Sequence, residues 1–395
     1  MACGGGSDGS STDDSATNGG DGSSTDDSTQ SDGSGQTGLF DQQCDGSGPV
    51  TFGASPLDVS DLMYIQPMGL VTGSHVTPVD HQYWTTVGVT NENWYTEPGK
   101  FAVYTPAAGY IIAIEKFEDY DYRVIIEHTC SIYTIFIHLG GLSDKVVSAS
   151  EFTGGGDGGH SYSYNRISLS EGEAFATVGY QSFDFSVHDT DVTLTGFITP
   201  SLYTAEAWKI HTVDPFDYFP EPLRSQLIAK SLRSAEPLGG KIDYDISGRL
   251  VGNWFVENTN GYEGTNASAY WRTHLSVVYD YIDPSQVRVS IGDFGGTEVQ
   301  YGVKGNAPDP ADVSVASGVV TYELVSSDYY LGSSSELWDR ATYAGNITAR
   351  NNDADVRGVA LFQMTEDNKL TAEFFPDQTA SEITGFTQAA KIYER

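Results

Sequence analysis

The chain has 395 residues, more than one ordinary domain needs, and fits two domains with a tail. Hydrophobic residues make up 39% and aromatic residues 12%, enough for a sizeable core. The formal net charge of −34 repels nucleic acid and anionic lipid, so no nucleic-acid partner is expected. Such a surface suits a solvated exterior, cationic partners, divalent metals or a salty habitat. No stretch of about 20 apolar residues occurs, so no membrane-spanning helix is expected either. The 44 glycines, 24 tyrosines and 18 phenylalanines, with short runs of Val, Thr, Tyr and Ile, favour strands and turns and predict a mostly β protein.

Residues 4–37 are almost entirely Gly, Ser, Asp, Thr, Gln and Asn, and Gly-Ser-Ser-Thr-Asp-Asp-Ser occurs at 9–15 and again at 22–28. Seven acidic residues and no Lys or Arg lie in 1–39. Nothing apolar offsets the entropy of ordering such a segment, so residues 1–38 read as a disordered, self-repelling tether. The start Met1-Ala2-Cys3, followed by Gly4-Gly5-Gly6-Ser7-Asp8, resembles the mature start of bacterial lipoproteins. That resemblance implies a lipid on Cys3, export, and contact with a membrane through the lipid anchor alone; an ordinary cytosolic start is the alternative. Cys44 and Cys130 then remain as an even pair. Export favours a disulfide, and two buried thiols are the alternative.

From Leu39 to about Phe219 the pattern is short strands. Phe101–Tyr104 and Tyr110–Ile114 flank the turn Thr105-Pro106-Ala107-Ala108-Gly109, and 122–128 with 131–138 read as a hairpin. The Gly-rich stretch 153–163 reads as a loop. Leu223, Leu227, Ile228 and Leu232 recur at helical spacing, which predicts a helix over 221–234 packed between the halves. The first domain is thus expected over 39–236. After Pro237-Leu238-Gly239-Gly240 a second domain, 237–395, is predicted as an all-β sandwich or small barrel. Its strands are expected at 250–257, 273–281, 286–292, 317–325, 342–349, 356–363 and 369–375.

Several motifs between about 71 and 190 resemble the M23 (LytM-like, lysostaphin-like) zinc metallopeptidases, which cut peptide bridges in bacterial cell walls. Gly73-Ser74-His75-Val76-Thr77-Pro78-Val79-Asp80 stands where that family has its first His and Asp ligands. Val103–Ile111 resembles its Pro-Ala-x-Gly turn, and Thr134-Ile135-Phe136-Ile137-His138-Leu139 its strand ending in His-Leu. Ser168–Gly179 resembles the hairpin before the last motif. The resemblance implies a LytM-like β domain built on a duplicated hybrid motif. Two departures make the site degenerate. His75 and Asp80 are separated by four residues rather than three, and the late strand carries Ser182 and Asp184 where the family has His-x-His. A zinc hydrolase needs three protein ligands and an open position for water. His75, Asp80 and Asp184 are what this chain offers, with His138 as the proton-handling group. An oxygen-rich set of this kind lowers zinc preference and Lewis acidity.

The expected function is therefore non-catalytic: binding or scaffolding at the cell envelope, toward cell-wall or extracellular polymer, with no cofactor. An active zinc endopeptidase is one alternative. Glycan or small-ligand binding by the C-terminal domain is another; there, Gly252-Asn253-Trp254 resembles the Gly-x-Trp of lipocalin first strands, and a core Trp beginning a strand is the alternative reading.

Overall fold

A computed structural model describes residues 38–40, 43–89, 98–150, 161–163 (backbone only) and 166–395. Residues 1–37 of the expected tether, with Cys3, lie outside the described residues, as does 153–160 of the Gly-rich stretch. The backbone of 161–163 forms a strand rather than a loop.

The first half holds β1 (Leu62–Gln66), β2 (Gln82–Thr86), β3 (Ala102–Tyr104), β4 (Gly109–Glu118), β5 (Asp121–Glu127), β6 (Ile132–Leu142), α1 (Asp144–Ala149), β7 (Ser161–Ser163), β8 (Ile167–Leu169), β9 (Ala174–Val178), β10 (Phe183–Asp189), β11 (Thr212–Val213) and α2 (Leu223–Ile228). Its sheet runs β1-β2-β10-β6-β5-β4-β7, with β11 on β10, β8 on β4, and β9 pairing both β3 and β6. The apolar run of β6 has a simple cause: both faces are covered. Ile132 and Phe136 enter the main core with Trp84, Phe175 and Phe185, while Tyr133 and Ile135 pack beneath Leu39, Phe40 and Trp208. A disulfide joins Cys44 to Cys130, with Cα atoms 5.0 Å apart, and ties the N-terminal segment to the β5–β6 turn.

The second half holds β12 (Gly252–Val256), β13 (His274–Tyr279), β14 (Val287–Phe294), β15 (Thr297–Val303), β16 (Val320–Leu331), β17 (Ile347–Glu366), β18 (Lys369–Pro376) and β19 (Lys391–Glu394). They form a closed antiparallel barrel in sequence order, β19 completing the ring on β12. Trp254, Leu275, Ile291, Tyr322, Phe362 and Tyr393 are among the side chains that fill its interior. The Arg395 guanidinium lies 4.0 Å from the Trp254 ring centre, and Trp254 Nε1 donates to the Leu250 carbonyl.

Three expectations are corrected here. The helix over 221–234 is only α2, because its apolar positions serve two places. Leu227 enters the first core, whereas the chain extends beyond it so that Ser231 bridges Ile65 and Leu232 joins Tyr64 and Tyr281. The expected strands 342–349 and 356–363 fall in one strand, β17, which begins only at Ile347. Finally, β15 and β19 complete the barrel although their sequences had not marked them as strands.

The outer parts of β16 and β17, from Ser327↔Asn351 to Leu331↔Ile347, form a two-stranded ribbon beyond the reach of β15 and β18. Ile347 and Trp338 pack there with Tyr64 of β1, Leu232 and Tyr281. Arg233, 4% exposed, donates to the carbonyls of Ala235, Pro237 and Tyr281 at the same junction. No helix among the described residues is long and apolar enough to cross a membrane.

Candidate functional site

Strand register gathers the site. In β10, Asp184 lies opposite Tyr83 of β2 on one side and Ile137 of β6 on the other. The residue before β2 is His81, and the residue after Ile137 is His138, so the Asp184 carboxylate falls between two imidazoles. His81 Nε2 is 3.3 Å and His138 Nε2 is 3.7 Å from Asp184 Oδ2. His138 has φ 63°, a left-handed conformation that a histidine adopts at a cost. Its Nδ1 is held by Asp121, 3.1 Å away.

On the far side of His81 the pattern continues. His81 Nδ1 meets Asp80 Oδ1 at 3.1 Å. Asp80 Oδ2 accepts from Trp208 Nε1 at 3.1 Å and lies 3.7 Å from Lys209 Nζ. Lys209 Nζ is 3.4 Å from Glu206 Oε2 and 5.0 Å from the centre of the Tyr262 ring. Carboxylates and cations therefore alternate: Asp121, His138, Asp184, His81, Asp80, Lys209, Glu206. Glu206, Trp208 and Lys209 come from the segment Pro200–His211, which folds back over the sheet, and Tyr262 comes from the barrel half.

Electrostatics follow from this order. Burial alone would lower His81 and His138, but flanking carboxylates outweigh it; His81 is raised, and His138 is raised to about 9 by Asp184 and Asp121. The His138 side chain is 26% exposed, so solvent tempers that shift. Burial raises Asp184, against the pull of His81 and His138. Burial would also raise Asp80, yet Lys209 and His81 hold it well below the ordinary carboxylate range. Asp184 is 3% exposed, and its Oδ1 has no hydrogen-bond partner among the described residues.

Of the residues singled out in the sequence, His75, Asp80 and Asp184 line one cavity of about 120 Å³, and His138 adjoins Asp184 outside it. His75 is exposed on the rim, its ring centre 6.1 Å from that of His81. Ser182 turns away and pairs with Thr85 Oγ1 at 2.7 Å. His188, on the same strand, is committed to Ser186 Oγ at 2.8 Å and the Trp208 carbonyl at 3.2 Å. His81, Glu206, Trp208 and Lys209 were missed. His81 follows Asp80 directly, at the threshold of a strand, and Glu206 and Lys209 stand at i,i+3; neither signal exceeds what ordinary surface sequence shows.

The donor set as arranged does not fit a zinc ion. Both oxygens of Asp80 are engaged, His81 uses its two nitrogens on two carboxylates, and an ammonium stands within 4 Å of the first carboxylate ligand. Among the described residues no group of three or more His, Cys, Asp or Glu is placed to hold a metal. No family model matches this chain, and no curated protein or solved structure was found that matches it.

Proposed function

We propose that the protein acts without catalysis, as a binding or scaffolding component of the cell envelope. On this reading a lipid on Cys3 carries it at the surface, residues 4–37 act as a spacer, and the peptidase-like half is a degenerate relative of the M23 enzymes. The observation that carries the reading is the size and walling of the cavity. At about 120 Å³ it is well below the roughly 300–1,000 Å³ of small-ligand pockets, and a polypeptide strand needs more still. Its walls include Trp208, Lys209, Tyr262 and Tyr270, supplied by the chain's own later segments. A substrate would have to displace packed structure to reach Asp184. Contact with cell-wall or extracellular polymer is then left to the outer surface.

The test is hydrolysis of cross-linked cell wall and of glycine-rich peptides in added zinc. The proposal expects no turnover. Turnover that disappears in both His75→Ala and Asp184→Ala would overturn it in favour of a zinc endopeptidase.

A further inference from the structure

We propose that a cavity at the seam between the two halves binds a small zwitterion, a free amino acid or a dipeptide, with its carboxylate on Arg233 and Tyr244 and its ammonium toward Glu236. This goes beyond the reading above: it concerns a second cavity and holds whether or not the protein hydrolyses anything. The cavity measures about 450 Å³, within the range of small-ligand pockets, and both halves line it, Thr195, Gly196 and Arg233 from the first and Tyr244, Val251 and Tyr279 from the second. Arg233 is a charge without a counter-charge. It is 4% exposed, yet among the described residues no carboxylate lies within ion-pair distance of it. Nε donates to the Ala235 and Pro237 carbonyls at 2.9 Å, and Nη1 to the carbonyls of Tyr281 at 2.7 Å and Asp280 at 3.5 Å. Nη2 makes no hydrogen bond among the described residues. Carbonyls satisfy N–H groups but leave the net charge unmatched, and a buried unmatched charge is costly.

A second, independent observation points to the same kind of ligand. Tyr244 is 6% exposed, and its hydroxyl has no aligned hydrogen-bond partner among the described residues. Arg233, the charged group that acts on it most, can only donate to it, so the O–H hydrogen lacks an acceptor. Both residues line the same cavity. The guanidinium and the hydroxyl therefore offer unused donors and a positive charge in one place, which is what a carboxylate takes. The other charges of the wall decide which anion fits. Lys241 and Asp243 cancel each other at 2.5 Å. Asp245 accepts from the Asn253 and Ile198 amides and faces Arg395 at 3.9 Å. What is left over is Arg233 inside and Glu236, which is exposed, on the rim. A phosphate would carry surplus negative charge past three acidic side chains, whereas a zwitterion brings one charge of each sign. Val251 and the Tyr279 ring supply apolar wall for a short side chain.

The experiment uses the full chain with alanine, dialanine, propionate or inorganic phosphate, read by calorimetry and by melting temperature, which a ligand of the folded state raises. Alanine or dialanine should bind in a single site, the tighter of the two telling free amino acids from peptides as the source. Propionate, which lacks the ammonium, should bind about threefold more weakly than alanine, and Glu236→Gln should erase that difference. Phosphate should bind at least about tenfold more weakly. Tyr244→Phe removes only an unsatisfied hydroxyl, so it should fold as wild type does while weakening the zwitterion about tenfold. Arg233→Met should abolish binding. Neither heat nor a melting shift with alanine and dialanine at millimolar concentration overturns the proposal. So does a Tyr244→Phe variant that binds as wild type does, or phosphate bound as tightly as alanine. Should Arg233→Met fail to fold, because its carbonyl contacts also hold the seam, Tyr244→Phe and Glu236→Gln decide the outcome between them.

Discussion

Asp280 offers a sharp test of what holds the second half together. It lies just past β13, is 2% exposed, and has each carboxylate oxygen used twice. Oδ1 accepts from the backbone N–H groups of Ile282 at 3.0 Å and Asp283 at 2.8 Å. Oδ2 accepts from Arg288 Nε at 2.9 Å and from the Tyr329 hydroxyl at 2.6 Å. Asp280→Ala leaves the Arg288 guanidinium, itself 7% exposed, without its buried carboxylate. Breaking one side of a buried pair costs about 3–5 kcal/mol, and the two stranded amides place the expectation toward the upper end. Asp280→Asn keeps an oxygen for the two amides but turns an NH2 toward two donors. The Tyr329 hydroxyl can rotate to accept from it; the guanidinium cannot. The expected loss is therefore smaller, about 2–3 kcal/mol. Urea unfolding followed by tryptophan fluorescence and far-ultraviolet dichroism measures both, provided the slope of the transition stays constant. A loss below about 1 kcal/mol for Asp280→Ala, or an asparagine variant less stable than the alanine one, would refute this account of the carboxylate.

Reducing the Cys44–Cys130 disulfide releases a loop spanning 86 residues and should lower stability by about 4–5 kcal/mol, with wild type showing no reactive thiol at either position until reductant is added. The acid response should carry a His274 component. Burial among Phe255, Tyr262 and Tyr270 pushes His274 down to about 3, so the unfolded chain takes up the proton first and stability falls as pH drops below about 6.5. Between pH 6.5 and 4.5 this one group should account for about 2–3 kcal/mol, and His274→Gln, which keeps a donor for the Tyr262 carbonyl, should flatten that part of the urea-midpoint profile.

Legibility in the sequence depended on whether a side chain's partner lies nearby in the chain. The β5–β6 hairpin could be read because Val124, Ile126, Ile132 and Phe136 all report one core across a short turn. Strand β17 read as two because its middle, Asn351 to Arg357, is mostly polar and exposed; residues 352–355 bulge between the last ribbon pair, Ser327↔Asn351, and the barrel pairing that resumes at Val325↔Val356. Strand β19 has four residues with Tyr393 inward and Ile392 exposed, too short for alternation to stand out. At the site, His75, Asp80, His138 and Asp184 stood out through their motif positions, and three of them do line one cavity. Lys209 could not be found in the same way. Its significance comes from a fold-back that brings residue 209 to residue 80, and no local pattern encodes a contact over that separation.

The ribbon of β16 and β17 bears on how the protein comes apart. A two-stranded ribbon is marginal alone, and this one draws its apolar cover from Tyr64 and Leu232 in the first half. Each half therefore completes part of the other's interior, and Arg233 fastens the seam with its carbonyl contacts. The free energy of the seam couples the two melting equilibria, so the halves lose structure in concert rather than in sequence. A nick in the exposed tip of the ribbon, near Ser333 to Glu336, is then felt in strand β1, more than two hundred and fifty residues earlier in the chain.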